Sequence, residues 1–383
     1  MPVEFIGWTS PQVSSEIIPA AGPVFSADVL AETARVHEAA GFDRVLIGYF
    51  THGADGFMVG AHTAAVTERL GLLLAHRPGF IAPTLAARKL ATLDHISAGR
   101  LAVHIIAGGS DADQACDGDF VDHDARYRRS DEYVHLMRRT WTATQPFDHD
   151  GEFYRVRGAQ SSIRCRQEPH IPLYGGGGSD AAIAMLTPHL DTYMLWGEPL
   201  AETSVFMSRV LEAAARQRRT PTFSVSTRPI LARTEDEAWD RALRILEQLR
   251  QSPWAQAAST RRVENVGSQR LLDVASRRDV HDTCLFTALA TATGAPGNST
   301  ALVGTPETVA DALVAYYELG ATTLLIRGYD PLNDAVEYGR ELIPRVRERV
   351  AAIDRARASV QPPRASQASA TSGSPTTSMT GDR

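Results

Sequence analysis

Short apolar runs alternate with amphipathic stretches of helical period along almost the whole chain, and that alternation restricts the fold to parallel strands joined by covering helices. The runs fall at 3–8, 43–48, 71–75, 101–107, 171–174, 191–196, 222–228 and 322–326. Segments 26–40, 57–67, 127–143, 180–188, 201–216, 235–249, 306–319 and 332–355 read as helices, and 83–100 as another helix with its closing turn. In the first helix the apolar stripe is Val29, Leu30, Val36 and Ala40, with Thr33 its one polar member and Gly41 the C-terminal cap. Eight strands each followed by a helix predict an α/β chain folded as a TIM (β/α)8 barrel over residues 1–356.

Three segments depart from the alternation. Phe147 to Val156, with Asp150-Gly151 at its turn, predicts a small β-hairpin. Residues 252–300 are far longer than a normal βα loop of about 2 to 6 residues. This insertion after strand seven is a candidate lid. Residues 357–383 are Ser, Thr, Pro, Ala and Gln with few large apolar side chains, so they cannot offset their ordering entropy, and a disordered C-terminal tail is expected.

Composition excludes several other function classes. With 383 residues, 43% hydrophobic and 22% charged, the chain can bury one large core. A net charge of -6, spread over helices of mixed sign, argues against nucleic acid as a partner. No apolar run approaches the roughly 20 residues that span a bilayer, and the start lacks the pattern of a signal peptide, so a cytoplasmic protein without a membrane partner is expected. Cys116, Cys165 and Cys284 match no metal spacing and read as reduced and structural.

In a TIM barrel the chemistry gathers at the C-terminal ends of the strands. There Gly176-Gly177-Gly178-Ser179 closes strand five and opens a helix, so its backbone N–H groups and the helix dipole would face an anion such as a phosphate. The alternative is a tight turn that merely needs glycine. His123 and Tyr127, four residues apart, share one helix face; alone, they read first as a helix-start residue capped by Asp122 and a core aromatic.

Four signatures in fixed order carry a family resemblance: Leu-Leu-Leu-Ala-His-Arg-Pro (72–78), Pro-Thr-Leu-Ala-Ala-Arg-Lys-Leu-Ala-Thr-Leu-Asp-His-Ile-Ser-Ala-Gly-Arg (83–100), Leu-Ala-Val-His-Ile-Ile-Ala-Gly-Gly-Ser-Asp (101–111) and Asp-His-Asp-Ala-Arg-Tyr (122–127). They continue in Gly-Gly-Gly-Gly-Ser-Asp (175–180), Trp-Gly-Glu-Pro (196–199), Thr-Ala-Leu-Val-Gly (300–304) and Gly-Tyr-Asp-Pro-Leu (328–332). The chain resembles the bacterial luciferase-like flavin monooxygenases over nearly all of its length to about residue 350, and most resembles the alkanesulfonate monooxygenases that use reduced FMN.

The resemblance implies a two-component enzyme. A separate flavin reductase supplies reduced FMN, and the barrel uses it with O2 to oxygenate a small organic substrate, organosulfur or sulfonate-like in class. It also implies a homodimer or homotetramer. The FMN phosphate would lie on Gly177, Gly178 and Ser179; Ser179 matches the family's second serine, whereas Gly178 replaces an earlier one. His123 and Tyr127 would stand at the flavin's edge and phosphate side, with Gly108 and Gly109 approaching its ring. Ala75-His76 ends strand three, where the family commonly has a non-prolyl cis peptide behind the ring.

The substrate pocket departs from the alkanesulfonate pattern. Gly53 stands where those enzymes have a cysteine, Ser226-Thr227-Arg228 where they have Arg-x-His, and Ala295 near an arginine of the insertion. Tyr329 survives. The expected catalytic set is therefore Tyr329 to bond oxygen or substrate, Arg228 to clamp an anion, and His52 or His76 to move protons, an imidazole having an ordinary pKa of about 6.5. A deazaflavin (F420)-dependent oxidoreductase on the same barrel, and a non-catalytic flavin-binding paralogue, are the alternatives.

Overall fold

The computed structural model describes residues 2–108, 110–253, 255–256, 263, 265–297 and 299–360. Its parallel barrel runs through β1 (Glu4–Thr9), β2 (Arg44–Ile47), β3 (Gly71–His76), β4 (Leu101–Ile105), β7 (Leu173–Gly175), β8 (Thr192–Trp196), β9 (Thr222–Leu231) and β13 (Ala321–Ile326), and closes by pairing β13 with β1. The hairpin β5 (Phe147–Asp150) and β6 (Arg155–Ala159) lies outside it. The expected eight-stranded architecture is the one observed.

Side-chain phase explains where the core sits. On alternate residues of each strand the chains point into the barrel, where Ile6, Leu73, Ala102, Tyr174 and Leu325 pack with Leu46 and Met194. The other phase meets the helices in one large cluster that includes Phe5, Val45, Leu72, Val103, Leu173, Val225 and Leu324. Helices α1 (Ala27–Ala39), α2 (Gly56–Val66), α3 (Pro83–Ile96), α5 (His123–Thr142), α6 (Asp180–Leu186), α7 (Leu200–Arg216), α8 (Glu235–Arg250) and α11 (Pro306–Leu319) form that outer layer, and α4 (Asp111–Cys116) is a short turn before α5. Several start where a side-chain oxygen accepts a free N–H: Ser26 from Val29, Asp122 from Ala125, Ser179 from Ala182. On α1 the buried face is Leu30, Ala31, Thr33, Ala34 and His37, so Val29 and Val36 flank the contact and do not centre it.

Three differences from expectation have physical reasons. Strand β9 runs three residues beyond its predicted end, because Arg228–Leu231 pair in parallel with β12 (Ala301–Gly304), a strand too short to announce itself in sequence. With β10 (Val280–His281) and β11 (Leu285–Phe286), β12 forms a small extension inside the 252–304 region, which also carries α9 (Val266–Arg277) and α10 (Ala288–Thr293). The last helix is not continuous: α12 (Asn333–Glu337) passes through a π-helical turn, Tyr338–Leu342, before α13 (Ile343–Val360). Pro344 has no N–H to give to the carbonyl four residues back, which favours a widened turn there. Helix α13 also carries order to residue 360, past the predicted start of the tail at 357; residues 361–383 lie outside the described set. Among the described residues no helix is long and apolar enough to cross a membrane, and all three cysteines are free.

Candidate functional site

The strand β7 side of the barrel mouth is built by backbone. After Gly175 the chain hugs its neighbours: a Cβ on Gly176 would lie 2.3 Å from the Met194 carbonyl oxygen, and one on Gly177 2.5 Å from the Ala182 Cβ. Neither contact can be relieved by a flexible side chain, so glycine is required here by close approach. The N–H groups of Gly177 and Gly178 donate to no described residue. Ser179 caps α6, accepting from the Ala182 N–H at 3.1 Å, and its side chain stands beside the Tyr127 hydroxyl. The Tyr193 hydroxyl donates to the Gly177 carbonyl at 2.7 Å. Burial pushes the Tyr127 phenol above its usual pKa, opposed by the nearby Ser179 hydroxyl. The four-residue spacing on α5 sets His123 edge-on against Tyr127, centroids 5.0 Å apart, while its Nδ1 lies 3.2 Å from Asp124. The expected grouping of Gly177, Gly178, Ser179, Tyr127 and His123 is therefore present.

The insertion touches this loop. The Cβ position of Gly178 lies 3.1 Å from Val266 Cγ1 and 3.2 Å from the Gly267 nitrogen, at the start of α9. Gly267 in turn packs so closely on Trp196 that a Cβ would sit 2.7 Å from its ring. Arg270 fixes α9 to the end of β8 through Glu198, its Nε donating to Oε1 at 2.8 Å.

Ala75 and His76 part ways. Ala75 lines the barrel, opposite His104 on β4. The His76 ring points outward between Phe57 and Tyr133, 2.8 Å from the Tyr133 hydroxyl, and burial lowers its pKa to about 4. It is a neutral ring in the helix layer, away from the mouth. The Ala75–His76 peptide is trans, and Glu168–Pro169 is the only cis bond among the described residues. The ladder explains this: β3 stays paired with β4 through His76, whose carbonyl also accepts from the Ile106 N–H at 3.1 Å. His104 was not singled out by sequence; its ring faces inward, its buried Nδ1 has no partner among the described residues, and burial lowers its pKa to about 4.

At the β2 to β4 rim, Gly108 adopts φ +89°, and a Cβ there would collide with Gln114. Gly109 lies outside the described residues. Arg77 is buried beside the Tyr49 ring at 4.4 Å and donates to Asp113 at 2.8 Å, while its Nε and Nη1 have no partner among the described residues. Burial raises the Asp113 pKa, but bonds from Thr51 and Arg77 outweigh it and hold the carboxyl below its usual range. His52 stands near Asp113 on the outer rim, exposed and without a hydrogen bond to any described residue. Among the described residues, no hydrogen bond or ion pair joins it to Arg228 or Tyr329.

The β9 to β13 side is built by charge. Arg228 is buried over the Tyr329 ring, its guanidinium carbon 3.6 Å from the centroid. Its donors are engaged: Nε with the Arg327 carbonyl at 3.3 Å, Nη2 with the Gly328 carbonyl at 2.8 Å, and Nη1 with Glu16 at 2.9 Å. Arg228 is thus held by the protein and is not free to clamp a ligand. Glu16, from the β1–α1 loop, also faces Arg327 at 3.8 Å; burial raises its pKa, but the two arginines outweigh burial and keep it ionised. Burial pushes the Tyr329 phenol up to about 12, so it stays protonated near neutrality. Sequence reasoning missed Glu16 and Arg327. Arg327 lies two residues after inward-facing Leu325, and strand phase was a usable signal for it; nothing local marks Glu16.

The positions that differ from alkanesulfonate monooxygenases lie apart. Gly53 is exposed on the rim, Ser226 is buried opposite Trp196 and Leu325, and Ala295 packs inside the insertion with Leu271 and Ala290.

The chain matches the family model described as luciferase-like monooxygenase over residues 3–323. Among solved structures it is similar to a riboflavin lyase with modified FMN and riboflavin, at 20% identity over 91% of this chain and 92% of that one, TM-score 0.75. It is also similar to an EDTA monooxygenase from Chelativorans sp. BNC1, at 16% identity over 91% and 94%, TM-score 0.74. An F420-dependent secondary alcohol dehydrogenase shares the fold at 16% identity over 90% and 99%, TM-score 0.66.

Proposed function

The chain belongs to the luciferase-like monooxygenases, and on that premise we propose that it is the oxygenating component of a two-component system fed with reduced FMN by a separate flavin reductase. Its substrate is a small organic molecule of organosulfur class. The observation that carries the reading is the convergence of Gly177, Gly178, Ser179, Tyr127 and His123 at one edge of the barrel mouth, with undonated backbone N–H groups at the glycines. Such a cradle fits a phosphate.

Bound there, reduced FMN supplies the electrons with which O2 is activated. The chain's own residues do the rest. Gly177, Gly178 and Ser179 bind the phosphate, with Tyr127 fixing Ser179 and His123 buttressing Tyr127. The small Ala75 side chain leaves room at the barrel mouth. Helix α9 lies against the phosphate loop and Trp196, so the insertion acts as a lid that excludes water. Tyr329, neutral at working pH, donates a hydrogen bond to oxygen or substrate.

Anaerobic titration with reduced FMN, reduced FAD and reduced F420, followed by protein fluorescence, tests this reading. Selective binding of reduced FMN is the expected result. Preference for F420 would replace it with hydride transfer, and tight oxidised-flavin binding without O2 consumption with a non-catalytic paralogue.

A further inference from the structure

The β9 to β13 side of the mouth holds one positive charge more than its own acid neutralises. Among the described residues, Glu16 is the only acidic side chain facing both Arg228 and Arg327, at 2.9 and 3.8 Å. Arg228 is saturated by Glu16 and two carbonyls. Arg327 has no such cradle: among the described residues its buried Nε has no hydrogen-bond partner, and neither has the buried Oε2 of Glu16. Burial lowers the Arg327 pKa, working against a charge that Glu16 offsets only in part. A guanidinium without a full counter-charge in a low-dielectric site favours an anion.

Arg327 is also placed to reach one. It shares the strand phase of Leu325, which lines the barrel, and lies over the ring of Trp8, 4.8 Å from the centroid. Its side chain is 18% exposed against 3% for Arg228, so Arg327 is the guanidinium a ligand can reach. Trp8 continues edge-on into Phe50, centroids 5.9 Å apart, whose ring is 60% exposed. Cation and apolar aromatic surface therefore adjoin.

We infer that Arg327 is the specificity-determining residue of this enzyme, binding the carboxylate or sulfonate of a substrate whose apolar body lies along Trp8 and Phe50. Glu16 sets the strength of that contact by taking half of the local positive charge. The inference deepens the monooxygenase reading and rests on it, since it takes the barrel mouth as the substrate site.

The test compares 2-naphthalenesulfonate, 2-naphthoate and neutral 2-naphthol as probes, titrated anaerobically by calorimetry into the full chain, with and without reduced FMN. The two anions should bind more tightly than the neutral probe. Arg327→Met should weaken them roughly tenfold to a hundredfold, the range of a charged hydrogen bond, and leave 2-naphthol unchanged. Glu16→Gln should move anion affinity the other way, by several-fold. Two variants with opposite expected signs separate a binding role from mere misfolding. Equal affinity for all three probes, or anion binding that ignores both substitutions, would overturn the inference. Whether sulfonate or carboxylate binds more tightly identifies the head group. Failure of reduced FMN to bind, with the anion preference intact, would instead count against the flavin reading alone.

Discussion

The two sides of the barrel mouth are built by opposite means. On the β7 side, a loop of consecutive glycines and one serine meets a residue of the next strand and two of one helix, and the binding surface is mainly backbone. On the β9 to β13 side, Glu16, Arg228, Arg327 and Tyr329 come from the first loop and the last strands, and the surface is buried charge. The first depends on close approach, which glycine supplies at little cost in stability. The second depends on charge balance, so losing one member leaves the others stranded.

Breaking that balance should give the largest effect. Arg228→Met removes the close partner of Glu16 and leaves the Arg327 and Gly328 carbonyls without their donor. Uncompensating a buried ion pair costs about 3–5 kcal/mol, which for a chain of this size lowers the thermal midpoint by about 5 °C. Glu16→Gln in the same background should recover none of the loss, because Glu16 then carries the counter-charge of Arg327. On the glycine side, Ser179→Ala removes one helix cap and should cost only about 1 kcal/mol. Calorimetric unfolding of the three variants checks the contrast, and an Arg228→Met midpoint equal to that of the native chain would mean the charges on this side are not coupled.

The same difference decided what could be read from sequence. Gly176 to Ser179, and the His123 to Tyr127 spacing, are local patterns, and the structure groups them as the pattern implies. The eight barrel strands were legible for a similar reason, being apolar runs between helical periods. Arg228 was visible as a candidate clamp, but its engagement by Glu16 was not, because 212 positions of sequence separate residues 16 and 228 and no local signal crosses that distance. His76 looked like a mouth residue because it ends β3, yet strand phase sends its ring outward to Tyr133. His104, on the opposite phase of β4, faces the interior instead.

Those two histidines give a smaller, pH-dependent way to sharpen the comparison. Burial holds both near a pKa of about 4 in the folded chain, against about 6.5 when unfolded. Unfolding therefore takes up protons between those values, and stability should fall as pH drops from about 6.5 toward 4. His104 lies in the barrel interior and His76 in the helix layer. His104→Asn and His76→Asn should each flatten the slope of the urea midpoint against pH between about 6.5 and 5, a window above the titration of most carboxylates. Identical slopes in all three proteins would show that neither ring is held neutral.

The smallest expected effect bears on whether the glycine side is truly a backbone site. Tyr127→Phe keeps the ring against which His123 packs and removes only the hydroxyl that stands beside Ser179. One hydrogen bond is worth about 1 kcal/mol, so reduced FMN should bind roughly fivefold more weakly, with the thermal midpoint unchanged. A loss above a hundredfold would mean that Tyr127 itself holds the phosphate and that side chains dominate on both sides of the mouth. No change would remove Tyr127 from the site and leave the undonated N–H groups of Gly177 and Gly178 as its main donors. The intermediate value is the one that a cradle of backbone, steadied by a tyrosine at one remove, requires.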